Sequence, residues 1–201
     1  MKYKEDITKE ELNLLPLRAF NKEILVVDTP ELISQAANYL KAQPILGFDT
    51  ETRPSFLKGH RNSVALLQLA TEDYAILIRC CKIGLPQEIA DILSDEKIQK
   101  VGVAIHDDIK ALQQRTPFEP KGFVELSTYA KRFSISASGL KKLCGIVLGF
   151  RISKAMQLSN WEDHILSEKQ CVYGATDAWA GLKIFQKLSA EIENWELTVE
   201  N

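Results

Sequence analysis

Four cysteines are present, Cys80, Cys81, Cys144 and Cys171, and no two of them are spaced as C-x-x-C. The common zinc and redox motifs are therefore missing, and the adjacent Cys80-Cys81 pair would point to opposite sides of a strand, so neither zinc nor disulfides are expected. No apolar run approaches the roughly 20 residues that span a bilayer. The amino terminus, MKYKEDITKEELN, is charged from its start where a secretory signal would be apolar. A cytoplasmic protein with no membrane partner is the expectation. An excess of one charge sign is lacking too: 25 basic residues against 27 acidic give a formal net charge of -2, which is not the footprint of a strongly basic nucleic-acid binder. Internal repeats, low-complexity tracts and Pro/Gly/Ser-rich linkers are also absent, so nothing marks a boundary between domains.

What is present suits one globular unit, with 201 residues of which 45% are hydrophobic. A polar arm over residues 1–22, a domain over 23–190 and a short tail over 191–201 are expected. EILVVD reads as a strand. Thr29-Pro30 then reads as an N-cap and first helical residue, followed by Leu32, Ile33, Ala36, Ala37 and Leu40 on one helix face. PILGFDTE, NSVALLQLA and DYAILIRC are β-type runs, apolar at both parities as in strands covered on two faces. LPQEIADIL reads as helix, KIQKVGVAI as strand and HDDIKALQQ as helix, closed by Pro117 and Pro120. From about Glu125 onward the pattern is helical, through VELSTYAKRF and GLKKLCGIVLG to a last helix opened by a Ser167/Gln170 capping box. This order predicts an α/β domain with a central mixed sheet flanked by helices and a helical C-terminal half.

Acidic residues stand at three points of that pattern. Asp49 and Glu51 leave the same face of a strand, where they repel unless a cation lies between them. A strand ending at Phe48, with both acids in a solvated turn before Pro54, is the alternative. Asp107 and Asp108 stand where a strand meets a helix, a common place for capping acids. Asp108 is in line with Leu112 and aims at the buried stripe, whereas Asp107 is better placed to cap. Tyr173 and Asp177 share a helix face that continues through Gly181 and Ile184, an arrangement that also occurs as a plain structural pair. Together the three points supply four carboxylates and a phenol. Hard oxygen donors in that number suit two Mg²⁺ or Mn²⁺ ions, which bind through carboxylates and share phosphate oxygens with a substrate. Phosphoryl chemistry is the indicated class.

The three stretches FDTE, VGVAIHDDIKAL and YGATDAWAGLKIF, in this order, resemble the DEDD superfamily of 3′–5′ exonucleases in its tyrosine-bearing subclass. The chain is similar to the Werner-syndrome-type exonuclease domain and, more distantly, to ribonuclease D and polymerase proofreading domains. The resemblance covers roughly Glu23 to Leu188 and includes LKKLCGIVLGFRISKAMQLSNW ahead of the third motif. It implies a ribonuclease-H-like fold and release of nucleoside 5′-monophosphates from the free 3′ end of DNA or RNA. Asp49, Glu51, Asp108 and Asp177 would be the metal ligands, and Tyr173 would orient the attacking water. Val172 stands where the histidine-bearing subclass carries its His, so His60, His106 and His164 have no required part. One position departs from the pattern: Thr52 stands where close members of the family tend to carry an aromatic residue.

Two bound divalent ions would turn the formal -2 into about +2. Modest basic patches then suffice for nucleic acid. Arg53, Lys58, His60 and Arg61, with Phe56 as a stacking surface, form one, and Lys141, Lys142, Arg151 and Lys154 a second; solvated surface charge is the competing reading of each. A degenerate domain of the same fold that binds nucleic acid or protein without cutting is the rival from another class, and a general phosphatase or endonuclease a third. The chain ends soon after Leu188, so no attached helicase is expected.

Overall fold

The computed structural model describes residues 3–55 and 62–199, with side chains through Glu193 in the last helix. Phe56, Lys58, His60 and Arg61, all of the first basic patch read from the sequence except Arg53, lie outside the described residues.

Six strands form one mixed sheet: β1 (Glu23–Val27), β2 (Ile45–Thr52), β3 (Val64–Ala70), β4 (Tyr74–Ile78), β5 (Gln99–Gly102) and β6 (Phe123–Glu125). Their spatial order is β1-β4-β3-β2-β5-β6, with β2 antiparallel to β3, β3 antiparallel to β4, and the outer pairings parallel. β2 and β3, the central pair, are covered on both faces, and every residue of β3 is buried. That burial is why VALLQLA is apolar at both parities.

One face is covered by α2 (Ile33–Lys41) and α4 (Gln87–Ser94), whose Ala36, Ala37, Leu40, Ile89 and Leu93 pack on Leu46, Phe48, Leu67 and Leu69. The other carries the long α8 (Glu168–Val199), which lies over β2, β3, β4 and β5. Alternation along β2 decides what each face receives. Leu46 and Phe48 enter the first core, so Gly47, Asp49 and Glu51 face α8. At Gly47 an added Cβ would stand 1.9 Å from the Ala178 carbonyl oxygen of α8, a contact no side chain tolerates. Glycine thus lets the helix lie directly on the strand that ends in the acids.

The remaining helices are α1 (Lys9–Leu14), α3 (Cys80–Ile83), α5 (Ile105–Gln113), α6 (Leu126–Ala130) and α7 (Leu140–Leu143), the last running into a π-helical turn at Cys144–Leu148. Several expectations need correction. The stretch read as helical from Glu125 onward begins with β6, a three-residue strand paired with β5. Cys80-Cys81 opens α3 rather than ending a strand, and all four cysteines are free. Pro30 opens a 3₁₀ turn ahead of α2, and the Thr29 side chain does not cap it. The amino-terminal segment is not merely a polar arm: it holds α1, capped reciprocally by Thr8 and Glu11, and buries Ile7 and Phe20. α8 continues to Val199, through the stretch read as a tail. Its start matches the capping box, since Gln170 N–H donates to Ser167 Oγ at 3.3 Å and Ser167 N–H to Gln170 Oε1 at 3.0 Å. No helix among the described residues is long and apolar enough to cross a membrane.

Candidate active site

The acids meet where the C-terminal end of β2 passes under α8. Asp49 and Glu51 project toward the helix as same-face residues of the strand. The Thr50 amide between them donates to Asp49 Oδ1 at 2.9 Å. Asp108 arrives from the far side. The β5-to-α5 turn presses on β2 at Gly102, where a Cβ would come within 2.4 Å of the Phe48 carbonyl oxygen. Ala104 then takes the left-handed conformation at φ 60° and starts α5. Asp107 was expected to cap this helix, yet the cap comes from β6. Glu125 Oε2 accepts the Ile105 N–H at 3.0 Å, while its Oε1 accepts the Ser127 N–H at 3.1 Å, so one carboxylate holds the first turns of α5 and α6. Asp107 is left exposed on the helix. Asp108, one residue on, turns inward and accepts the Thr50 hydroxyl at 2.6 Å.

Tyr173 and Asp177 descend from α8, each only 7% exposed. Trp161, completely buried in the irregular segment before α8, packs its ring 5.9 Å from the Tyr173 ring. On the carboxylate side, the Lys141 ammonium of α7 stands 6.0 Å from the Tyr173 ring centroid. The phenol ring thus has both an indole and a cation as neighbours.

Electrostatics shows that the acids form one system. Burial, and then the charges of Asp177, Glu51 and Asp108, push the Asp49 carboxyl far above the usual range. Glu51 is raised from 4.5 to about 8 by burial and by Asp177 and Asp108, with Lys141 opposing. Burial also raises Asp177, offset by the Tyr173 hydroxyl and Lys141, and raises Asp108, offset by its bond to Thr50. Tyr173 itself is pushed well up, first by burial and then by Asp177 and Glu51, so it stays a neutral hydroxyl. The donor set fits hard divalent cations, whose charge would relieve this repulsion. Among the described residues, no three acidic, His or Cys side chains already converge as a closed metal cluster.

The sequence reading named all five central residues, and the fold brings them together. The basic residues divide. Lys154 is exposed at a cavity of about 720 Å³ that also reaches Lys141, Tyr173 and Asp177. Arg53 is exposed, pairs with Glu162 at 3.5 Å, and borders a second hollow beside Thr52 and Asp108. Lys142 turns away to pair with Asp6 at 2.7 Å, and Arg151 Nε donates to the Leu15 carbonyl at 3.1 Å, so both hold the amino-terminal segment. Thr50, Glu125 and Trp161 were not singled out. Thr50 stood inside the quoted motif, but its partner is 58 residues away. Trp161 carried one signal, its place in SNW within the supporting stretch.

The 3′–5′ exonuclease family matches residues 24–193, most of the chain and all of this site. The chain belongs to that family. Enzymes of this family generally depend on divalent metal ions. The exonuclease-family chain is 35% identical over 150 residues to the mouse bifunctional 3′–5′ exonuclease/ATP-dependent helicase WRN, a match spanning 72% of the chain and 11% of WRN. It is 31% identical over 176 residues to human exonuclease 3′–5′ domain-containing protein 2, covering 78% of the chain and 28% of that protein. The chain therefore spans a minor part of these curated relatives. Among solved structures, the Nibbler EXO domain of Aedes aegypti superposes with a TM-score of 0.76 at 23% identity, covering 88% of this chain and 93% of that one. Escherichia coli RNase D superposes at 0.72 and 23% identity, covering 87% of this chain and 46% of RNase D. These likenesses show the ribonuclease-H-like exonuclease fold.

Proposed function

We propose that this chain removes nucleoside 5′-monophosphates from the free 3′ end of DNA or RNA, with two Mg²⁺ or Mn²⁺ ions held by Asp49, Glu51, Asp108 and Asp177. The observation that carries this reading is the convergence of four carboxylates from β2, α5 and α8, close enough that Asp177 and Asp108 both act on the buried Asp49 and Glu51. Charge of that density has no use in a folded chain unless cations and an anionic substrate complete it. Bound there, the ions would acidify a water and spread the charge developing on the phosphate.

The protein's own part is positioning. β2, a central strand buried over Leu46–Phe48 and paired with β3 through Thr52, positions Asp49 and Glu51, and Thr50 holds Asp108. Tyr173, kept neutral and packed near Trp161 and Lys141, is a hydroxyl that can orient a water beside Asp177. No side chain here is arranged as a covalent nucleophile, so direct hydrolysis is the proposed chemistry. Lys154 and Arg53 flank the site and are proposed to follow the strand's phosphates; Phe56, Lys58 and Arg61 complete that proposal from the sequence alone. Four unpaired cysteines suit a reducing setting such as the cytoplasm.

The test is mononucleotide release from end-labelled single-stranded DNA, duplex DNA and RNA oligomers in Mg²⁺, Mn²⁺ or EDTA. Asp49→Ala and EDTA should each abolish release, and a closed circular substrate should survive intact. Hydrolysis that persists in Asp49→Ala would sink the two-metal reading, and cutting of the circle would replace it with an endonuclease. Tight oligomer binding with no release in any metal would establish the non-cutting rival instead.

A further inference from the structure

Lys141 is not one of the motif residues, yet it lies deeper in the site than any other cation described. Its Nζ is buried and has no hydrogen-bond partner, although it carries three donors. Burial works first against its charge, and Lys154 adds to that; what compensates acts through space, with Asp177 and Glu51 favouring the ammonium and the Tyr173 ring beneath it. Neutralising the carboxylates with divalent ions would remove that compensation and leave an ammonium facing cations across a cavity shared with Tyr173, Asp177 and Lys154. A buried, unbonded ammonium in that setting requires an anion. The cavity opens on the same acids, and the anion that the chemistry brings there is a nucleotide phosphate.

We propose that Lys141 exchanges partners, attracted through space by the carboxylate cage while the ions are absent and bonding the substrate or product phosphate once they are bound. The proposal rests on the exonuclease reading for the identity of the anion. Its consequence is a linkage between the two ligands. Without nucleotide, Lys141 competes with the metal for the same carboxylates; with metal bound, it contributes to phosphate affinity. A lysine that served only to pack against Tyr173 would do neither.

The full chain is to be compared with Lys141→Met and Lys141→Arg, using Mn²⁺ titration without nucleotide and adenosine 5′-monophosphate titration at saturating Mn²⁺. Lys141→Met should bind Mn²⁺ several-fold more tightly and the nucleotide roughly tenfold more weakly, the size expected for one charge-assisted hydrogen bond. Lys141→Arg should restore both toward the parent. If Lys141→Met does not fold, Lys141→Gln carries the same comparison. A neutral variant that matches the parent in either titration overturns the exchange. The two readings fail separately: a parent chain that releases mononucleotides while the variants show no shifts loses only the role of Lys141. A parent that releases none while the variants show both shifts loses only the exonuclease reading.

Discussion

Thr50 shows how the site depends on a residue with no chemistry of its own. Its amide steadies Asp49 and its hydroxyl steadies Asp108, so one residue between two acids of β2 joins the first motif to the second. Thr50→Val keeps the shape and deletes the hydroxyl. A hydrogen bond to a charged group contributes about 1.5–3 kcal/mol. The expected result is turnover lowered by roughly 10-fold or more and weaker Mn²⁺ binding, with Thr50→Ser restoring both. Unchanged kinetics in Thr50→Val would mean that Asp108 is held by α5 alone. The chemistry-bearing residues were legible because Asp49/Glu51 and Tyr173/Asp177 obey strand and helix periods, which put each pair on one face whatever surrounds it. Thr50, Glu125 and Lys141 were not legible in their roles, because each acts on a residue remote in the chain, and a hydroxyl, a carboxylate or an amine looks the same in sequence wherever it points.

Among the elements, the β2–α8 contact governs the site. Tyr173 and Asp177 are useful only if α8 lies close on β2, and Gly47 sets that distance. Gly47→Ala would drive a methyl group into the Ala178 carbonyl, a backbone atom that cannot rotate aside. The expected cost is at or above the roughly 1–3 kcal/mol typical of overpacking. A lower melting temperature and a larger proportional loss of turnover should follow, read by thermal unfolding and by mononucleotide release. Equal activity at full stability would show that α8 can shift without disturbing the acids. The long elements were readable from pattern, since β2, β3, α2 and α4 alternate or recur with clear periods. β6 was not. It has only three residues, its Val124 and Glu125 also fit the helix that follows, and pairing with β5 rather than local preference makes it a strand. α1 was overlooked for a related reason: none of its residues is buried, so it has no apolar face to read.

At the scale of the molecule, the cage ties stability to pH and to metal. Glu51 titrates near its ordinary 4.5 in the unfolded chain and at about 8 in the fold. Between those values the folded protein keeps a proton that the unfolded chain has lost. This contribution to stability is therefore full below pH 4.5 and lost as pH rises through about 8. Asp49, Asp108 and Asp177, all raised, act in the same direction. The metal-free protein should accordingly melt at a higher temperature near pH 5 than near pH 8. Mn²⁺ or Mg²⁺ should raise the melting temperature most at the higher pH, where the carboxylates are free to bind, and EDTA should reverse the gain. Scanning calorimetry at both pH values, with and without metal, checks the sign. A metal-free protein that is more stable at pH 8 would show that the acids are not packed together in the fold.

The sequence by itself determined the secondary-structure periods, the two same-face pairs Asp49/Glu51 and Tyr173/Asp177, and the family, because these depend on residue types at short spacing and on the order of three motifs. Only the tertiary structure decided that Glu125 caps both α5 and α6, that Thr50 reaches Asp108, and that Lys141 lies unbonded against Tyr173. Those contacts join residues far apart in the chain, and packing of α8 and α5 on β2 sets their distances. At a separation of a few ångströms, the balance among burial, repulsion and a single ammonium makes five scattered polar residues one site.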